Sequence, residues 1–200
     1  MSEARAATIA AYQADAAAYA AGATDVPDSL VRDLDEFVQR VGVGAQVLEI
    51  GSGPGRDARE LERRGVVVRR TDVTPAFVDL LRADGHDADV VDPLVDDLGG
   101  PWDGVWANAV LLHLTRGELD VVLRRLHDCT VPGGTLFASL KEGDGEAWST
   151  HGRVSAPRMF TYWREQPLRD VVEDSGWQVL ALRRTRGSRD DWLDVLAERS

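Results

Sequence analysis

Val47-Leu48-Glu49-Ile50-Gly51-Ser52-Gly53-Pro54-Gly55-Arg56-Asp57 is a short apolar run that opens directly into a turn with glycine at alternate positions. The apolar residues predict a buried parallel strand, since strands covered on both faces carry near-continuous hydrophobic runs. The glycines let the backbone turn sharply and let a ligand come closer than any side chain would allow. A helix is expected from about Arg56, and its free N–H groups would point to the same spot.

Strand, glycine turn and helix together predict a docking place for an adenosine-containing cofactor, and the details separate two cofactor classes. The dinucleotide fingerprint Gly-x-Gly-x-x-Gly places a pyrophosphate at the helix start. Here the spacing is Gly51-x-Gly53-x-Gly55, and Glu49, two residues before the first glycine, would repel a pyrophosphate. An acid is better placed beside a cation. The segment Glu49 to Gly55 resembles the glycine motif of class I S-adenosylmethionine-dependent methyltransferases. That resemblance implies a turn wrapped around the methionine end of S-adenosyl-L-methionine, which carries an ammonium and a sulfonium. The competing reading is a plain glycine-rich turn between a core strand and a helix.

Elements alternate along the chain, which predicts an α/β fold with a doubly wound, mainly parallel sheet covered by helices on both faces. Helices are expected at about Ala4 to Ala21, Pro27 to Val41, Arg56 to Arg64, Pro75 to Ala83, Thr115 to Asp128 and Arg164 to Ser175. Thr74 is a plausible cap before Pro75, and Thr115 with Glu118 forms a capping-box pattern. Strands are expected at Val47 to Ile50, Val66 to Arg70, Ala88 to Val91, Gly104 to Ala107, Thr135 to Leu140, Trp177 to Leu182 and Trp192 to Leu196. The last two, with Gly187-Ser188 between them, permit an antiparallel hairpin. Seven strands match what the resemblance implies: a Rossmann-like sheet of five parallel strands plus a terminal hairpin with one reversed strand. The whole chain reads as one domain: a helical cap over 1–41, a cofactor-binding core over 46–140, a substrate-lid loop over 141–163, and a C-terminal helix and hairpin over 164–200. The lid is expected because a long segment without sustained periodicity in a compact domain is usually functional.

Composition narrows the partners. The charge is −11, with 23 basic against 34 acidic residues, which disfavours a nucleic-acid surface built on phosphate neutralisation. The main basic clusters, Arg63-Arg64 and Arg69-Arg70, flank one core strand. No apolar run approaches a membrane span, and Tyr12, Gln13 and Asp15 interrupt the alanine-rich N-terminal segment, so a cytoplasmic protein is expected. One cysteine, Cys129, excludes an internal disulfide and reads as an inert buried thiol. His86, His127 and the scattered acids show no spacing that suggests a metal site.

Within the glycine motif, Glu49, Gly51, Ser52, Gly53 and Gly55 are candidates to hold the cofactor. Asp72, 21 residues after Gly51 and at the end of the second strand, can accept both hydroxyls of a ribose, with Val73 beside it; a helix N-cap is its bland alternative. By the family pattern, Asp92 would accept from the adenine amino group. Pro93 departs from that pattern, because it has no N–H to offer the ring, which leaves Leu94 as donor or shifts the adenine; Asp89 competes with Asp92. The resemblance places the backbone of Asn108 and Ala109 against the methionine portion. Tyr12 and Tyr19, seven apart on one helix face, could cap the cofactor carboxylate or simply anchor the helix.

Methyl transfer from a sulfonium is an in-line displacement with a neutral thioether leaving group, so alignment can supply most of the acceleration. A base is needed only where the acceptor must lose a proton. His113, His151, Glu142 and Tyr162 are the candidate catalytic residues, the last three in the lid with Phe160 and Trp163. No Asn-Pro-Pro-Tyr or Asp-Pro-Pro-Tyr run follows the fourth strand, where Asn108-Ala109-Val110-Leu111 stands, so nucleic-acid bases are disfavoured as acceptors. The expected function is therefore methyl transfer from S-adenosylmethionine to a small-molecule acceptor, with no membrane partner. The alternatives are an NAD-dependent oxidoreductase and a catalytically inactive methyltransferase-like binding protein.

Overall fold

In the computed structural model, which describes residues 2–187 and 189–200, a seven-stranded sheet forms the centre of the molecule. In chain order its strands are β1 (Gln46–Ile50), β2 (Val67–Asp72), β3 (Ala88–Val90), β4 (Trp102–Asn108), β5 (Thr130–Lys141), β8 (Trp177–Arg186) and β9 (Asp191–Arg199). Their spatial order is β3-β2-β1-β4-β5-β9-β8. The first five run parallel; β9 lies antiparallel to both β5 and β8 and is the reversed strand. This is the mainly parallel, Rossmann-like architecture expected from the alternation of elements. Ser188 of the expected hairpin turn lies outside the described residues.

Alternate residues along the strands feed two cores, as the pleat requires. Leu48, Val105, Ala107, Leu136, Ala138 and Val195 face a core completed by Leu119, Val122, Leu123 and Leu126 of α5 (Arg116–Asp128) and by Leu168 and Val172 of α6 (Glu165–Asp174). Val47, Trp106, Phe137 and Leu196 face the other, filled by Leu30, Leu34, Phe37 and Val38 of α2 (Asp28–Val41) and by Ala58 and Leu61 of α3 (Arg56–Arg63). In that second core Trp106 stacks on Phe137 at 4.0 Å, and Phe37 meets it edge-on at 5.2 Å. Hence the expected helical cap divides in two. Helix α2 is part of the sheet's packing, because one apolar stripe commits it to the core. Helix α1 (Glu3–Gly22) crosses the carboxyl ends of the strands instead. Its ties are Arg5 to Asp92, Gln13 to the backbone N–H of Ala76 in α4 (Pro75–Ala83), and Asp15 to Ser155.

Local signals are realised with two differences. The Thr115–Glu118 capping box forms, with the Glu118 carboxylate accepting from the Thr115 backbone at 2.9 Å. Thr74 makes no side-chain cap; its backbone N–H donates to Asp72 Oδ1 at 2.7 Å, so the acid supplies the acceptor. The expected loop 141–163 contains a two-stranded antiparallel ribbon, β6 (Glu146–Ser149) with β7 (Arg158–Thr161). Four-residue strands separated by a segment with one glycine and one proline leave too little alternation to read from sequence. No helix among the described residues is long and apolar enough to cross a membrane.

Phe37 is fully buried and is the edge-on partner of Trp106. Its replacement by alanine is expected to cost about 3–5 kcal/mol. Urea unfolding followed by tryptophan fluorescence would check this, and a loss below about 1 kcal/mol would mean that α2 is not packed as described.

Candidate cofactor and acceptor site

Strand order reverses between β1 and β4, and open α/β sheets offer a crevice at the carboxyl ends of the strands at such a point. A cavity lies there, lined by Glu49 through Pro54, Asp72 through Thr74, Val91, Pro93, Trp106 and Asn108 through Leu111, with α1 closing it through Arg5, Thr8, Ile9, Tyr12 and Tyr19. The turn that begins it has φ of 71° at Gly51, 51° at Gly53 and 77° at Gly55, all in the region that favours glycine. A Cβ at Gly51 would stand 2.3 Å from Val110 Cγ2, whereas one at Gly53 would meet open space. Gly53 is therefore the turn residue whose surface is left for a ligand. Gly55 does not line the cavity; it lets α3 begin close to Leu81, 2.5 Å from where a Cβ would sit. Ser52 holds the turn to β2 by donating its N–H to Thr71 O and accepting from Thr71 N.

Three buried carboxylates gather at this turn: Glu49, Asp57 and Asp72. Asp72 Oδ2 accepts from Gly53 N at 2.9 Å and Oδ1 from Thr74 N at 2.7 Å, each leaving a lone pair for another donor. Burial raises the Asp72 pKa against the pull of those two N–H groups. Asp57 accepts from Trp106 Nε1 at 3.1 Å, Asn108 Nδ2 at 2.7 Å and Arg56 Nε at 2.7 Å, which ties the start of α3 to β4. Sequence reasoning missed Asp57, whose signal was an acid in the first helical turn directly after the glycine motif. Glu49 is the least satisfied: its Oε2 is buried with no hydrogen-bond partner. Burial first, and the Asp57 charge second, push its pKa up to about 8.

Asn108 is oriented from both sides, giving Nδ2 to Asp57 and accepting Ser139 Oγ–H at 2.7 Å on Oδ1. Ala109, next to it, is the non-glycine residue with positive φ among those described, at 55°. Sparsely populated backbone of this kind persists where surrounding structure over-determines it, often at sites. Its N–H donates to Ser139 Oγ at 3.1 Å.

A second cavity adjoins the first. Tyr12, Tyr19, Ala109 and His113 line both, and the second is completed by Leu112, Lys141, His151, Arg153, Arg158, Phe160, Arg189, Asp190 and Trp192. Along the shared wall His113 Nδ1 faces Met159 O at 2.7 Å, a contact that requires the proton on Nδ1. Nε2 then accepts from Tyr12 O–H at 3.0 Å, and the Tyr12 oxygen in turn accepts from Arg158 Nη1 at 3.1 Å. Enclosure by protein lowers the His113 pKa to about 4 and raises that of Tyr12 to about 12, so both are neutral at pH 7.

Of the residues expected at the site, Tyr19, Glu49, Gly51, Ser52, Gly53, Asp72, Val73, Pro93, Asn108 and Ala109 line the first cavity, and His113 and His151 reach the second. Others lie elsewhere. Asp92 lines neither cavity: Arg5 clamps its carboxylate at 2.5 and 2.8 Å, and it also accepts the N–H of Leu94, the backbone donor expected to serve an adenine. Glu142 pairs with Arg184 at 2.8 Å and with Arg164 at 3.7 Å, outside both cavities. Tyr162, one residue past the end of β7, also lines neither. In those two basic clusters Arg63, Arg64, Arg69 and Arg70 are paired with Glu60, Asp35, Asp89 and Glu62. Burial raises the Cys129 thiol to about 11, in keeping with an inert side chain.

A parallel sheet with an acid-lined crevice at its switch point defines an α/β protein built to bind an adenosine-type cofactor. A family model described as a methyltransferase domain matches residues 23–182. The chain belongs to that family, and it is a class I S-adenosylmethionine-dependent methyltransferase. None of the curated protein sequences compared with the chain matches it. Among solved structures it is similar to the 1,6-didemethyltoxoflavin-N1-methyltransferase of Burkholderia thailandensis with bound 1,6-didemethyltoxoflavin and S-adenosylhomocysteine, at 21% identity and a TM-score of 0.72 over 96% of this chain and 88% of that one. It is also similar to the magnesium protoporphyrin IX methyltransferase of Synechocystis PCC 6803 with bound S-adenosylmethionine, at 18% identity and a TM-score of 0.68 over 100% and 86%. The cyclase SpnF shares the fold too, at 16% identity and a TM-score of 0.72 over 97% and 94%.

The raised pKa of Glu49 gives a signed consequence. Between its ordinary value of 4.5 and about 8 the folded chain holds a proton that the unfolded chain has released, so this residue's contribution to stability falls as pH rises through that window. In the cofactor-free protein, Glu49→Gln is expected to flatten the decline of the urea midpoint between about pH 5 and pH 8. Parallel declines in wild type and variant would show that Glu49 is not held protonated.

Proposed function

We propose that the first cavity holds S-adenosylmethionine and that the chain transfers its methyl group to a small-molecule acceptor seated in the second. The observation that carries this reading is the buried, unpartnered Glu49 Oε2 beside Asp57. A buried carboxylate without a donor is costly, and an ammonium group placed against it would satisfy both partners. When bound, the cofactor supplies a methyl group on a sulfonium, already activated for displacement.

The chain's residues then position. Asp72 accepts the two ribose hydroxyls on the lone pairs left free by Gly53 and Thr74. Val73, Val91 and Pro93 offer apolar surface to the adenine, and Arg5, locked to Asp92, borders that end. Gly51 through Gly53 and the backbone of Asn108 and Ala109 flank the methionine portion, and Tyr19 closes it from α1. His113 is neutral with Nε2 engaged by Tyr12, so it borders both cavities where donor and acceptor meet and takes no proton. Catalysis by alignment fits a displacement that needs no acid for its leaving group. His151 is the one remaining basic candidate at the acceptor cavity, and it serves only acceptors that must be deprotonated.

A cavity walled by α1, the β6–β7 ribbon and the β8–β9 turn supports a small acceptor. The net charge of −11 argues against nucleic acid as that acceptor. A second reading, cofactor binding without methyl transfer, is favoured by one observation: the similar fold of SpnF belongs to a cyclase.

Isothermal titration with S-adenosylmethionine, S-adenosylhomocysteine and NAD tests the cofactor reading. The first two should bind and NAD should not; tight NAD binding with silence from the others would overturn it. Glu49→Gln and Asp72→Asn should each weaken S-adenosylmethionine about tenfold or more, and unchanged affinity in both would mean the cofactor lies elsewhere. An acceptor screen that measures S-adenosylhomocysteine formation separates methyl transfer from binding alone.

A further inference from the structure

The second cavity has a charge character opposite to that of the chain as a whole. Four cationic side chains line it, Lys141, Arg153, Arg158 and Arg189, against one carboxylate, Asp190, in a protein of net charge −11. Lys141 is the chain's single lysine, stands at the end of β5, and is only 6% exposed. It pairs with Asp190 at 2.8 Å and lies 4.0 Å from the centre of the Phe160 ring.

Arg158 is 4% exposed and has no acid beside it. It donates to the neutral oxygens of Tyr12 and His151, and its Nε–H is buried without an acceptor. Among the described residues no carboxylate pairs with Arg153, Arg158 or Arg189, whereas Arg5, Arg56, Arg64, Arg69 and Arg70 each face one. Burying a cation without a counter-charge is strongly unfavourable, and guanidinium groups match oxyanions in planar, bidentate geometry.

We propose that the methyl acceptor carries an oxyanion, a carboxylate or a phosphate, and that Lys141 and Arg158 hold it in the second cavity with Arg153 and Arg189 at its rim. The proposal rests on the reading of the first cavity as the cofactor's. The anion anchors one end of the acceptor against β5 and β7, and the atom to be methylated then faces the boundary that Ala109, Tyr12, Tyr19 and His113 share with the donor's cavity, where the two must meet for an in-line displacement. Phe160 and Trp192 supply apolar surface for the body between.

The test uses full-length protein saturated with S-adenosylhomocysteine and titrated with 4-hydroxybenzoate and phenyl phosphate against their uncharged counterparts, 4-hydroxybenzamide and phenol. At least one anion should bind about tenfold or more tightly than either neutral compound, and added salt should weaken it. Which anion binds distinguishes carboxylate from phosphate. Lys141→Met, and separately the doubly substituted Arg153→Gln/Arg189→Gln protein, should lower that affinity about tenfold while S-adenosylhomocysteine binds as in wild type. The exposed pair is included because its loss leaves no buried charge behind. Equal binding of charged and neutral compounds, no binding of either anion, or unchanged anion affinity in both variants would overturn the proposal. Failure of S-adenosylhomocysteine to bind in the preceding titration would overturn the cofactor reading, and with it the acceptor role of this cavity.

Discussion

Burying Glu49, Asp57 and Asp72 around one glycine turn is the constraint from which the rest of the site follows. Carboxylates brought this close out of water repel one another and lose hydration, so each needs donors or a counter-charge. Asp57 finds Trp106, Asn108 and Arg56, and Asp72 finds Gly53 and Thr74. Those bonds tie the turn after β1 and the start of α3 to β2 and β4. Glu49 is left over, with one oxygen unpartnered and its proton retained up to about pH 8. Preorganisation and unmet need thus sit at adjacent residues: the frame is satisfied internally and the ligand-facing acid is not.

The roof of the site depends on that frame through α1. This helix contributes little to the two sheet cores, and its packing goes instead to α4, to the β6–β7 ribbon and to the cavity below. Polar ties fasten it at Arg5–Asp92, Gln13–Ala76, Asp15–Ser155 and Thr8–Met159. A helix held by a few polar contacts over a cavity opens at lower cost than one buried in a core. Ribbon and helix are linked by the Met159–His113–Tyr12–Arg158 chain, so the wall between the cavities and the roof over them form one hydrogen-bonded unit.

Most of the frame was legible in the sequence because it is local. The alternation of elements, the capping box at Thr115 and the glycine turn each depend on neighbours within a few residues, where propensity and sterics dominate. Asp72 was legible because the length of one strand–helix–strand unit sets its place. What failed was non-local. Asp92 could not be known to belong to Arg5, 87 residues away. Glu142 reads as a free acid until β8 brings Arg184 beside it. Asp57, next to Arg56, has the pattern of an exposed helix start, and only the register of β4 turns Trp106 and Asn108 toward it. The burial of Lys141 and Arg158 was hidden for the same reason: cations in a segment expected to be irregular are ordinarily solvated, and here they lie at the ends of β5 and β7, both buried.

The two cavities have opposite polarity, acids gathered at β1 and β2 and cations at β5 and β7, with neutral side chains between them. For a reaction in which a cationic donor becomes a neutral thioether, that arrangement bears on direction as well as affinity. On the proposed placement, the acid-lined chamber favours the charged donor over its product by whatever part of the field reaches the sulfur. On the same placement, the proposed anion draws the donor's positive end toward the boundary that the two cavities share and aligns the pair along the line on which displacement must occur. His113, unprotonated, and Tyr12, un-ionised, put no charge of their own at that boundary, while Arg158 donates to the Tyr12 oxygen from the side of the second cavity. Alignment by opposed fields needs no general base, which is consistent with a site whose best-placed histidine has both nitrogens engaged.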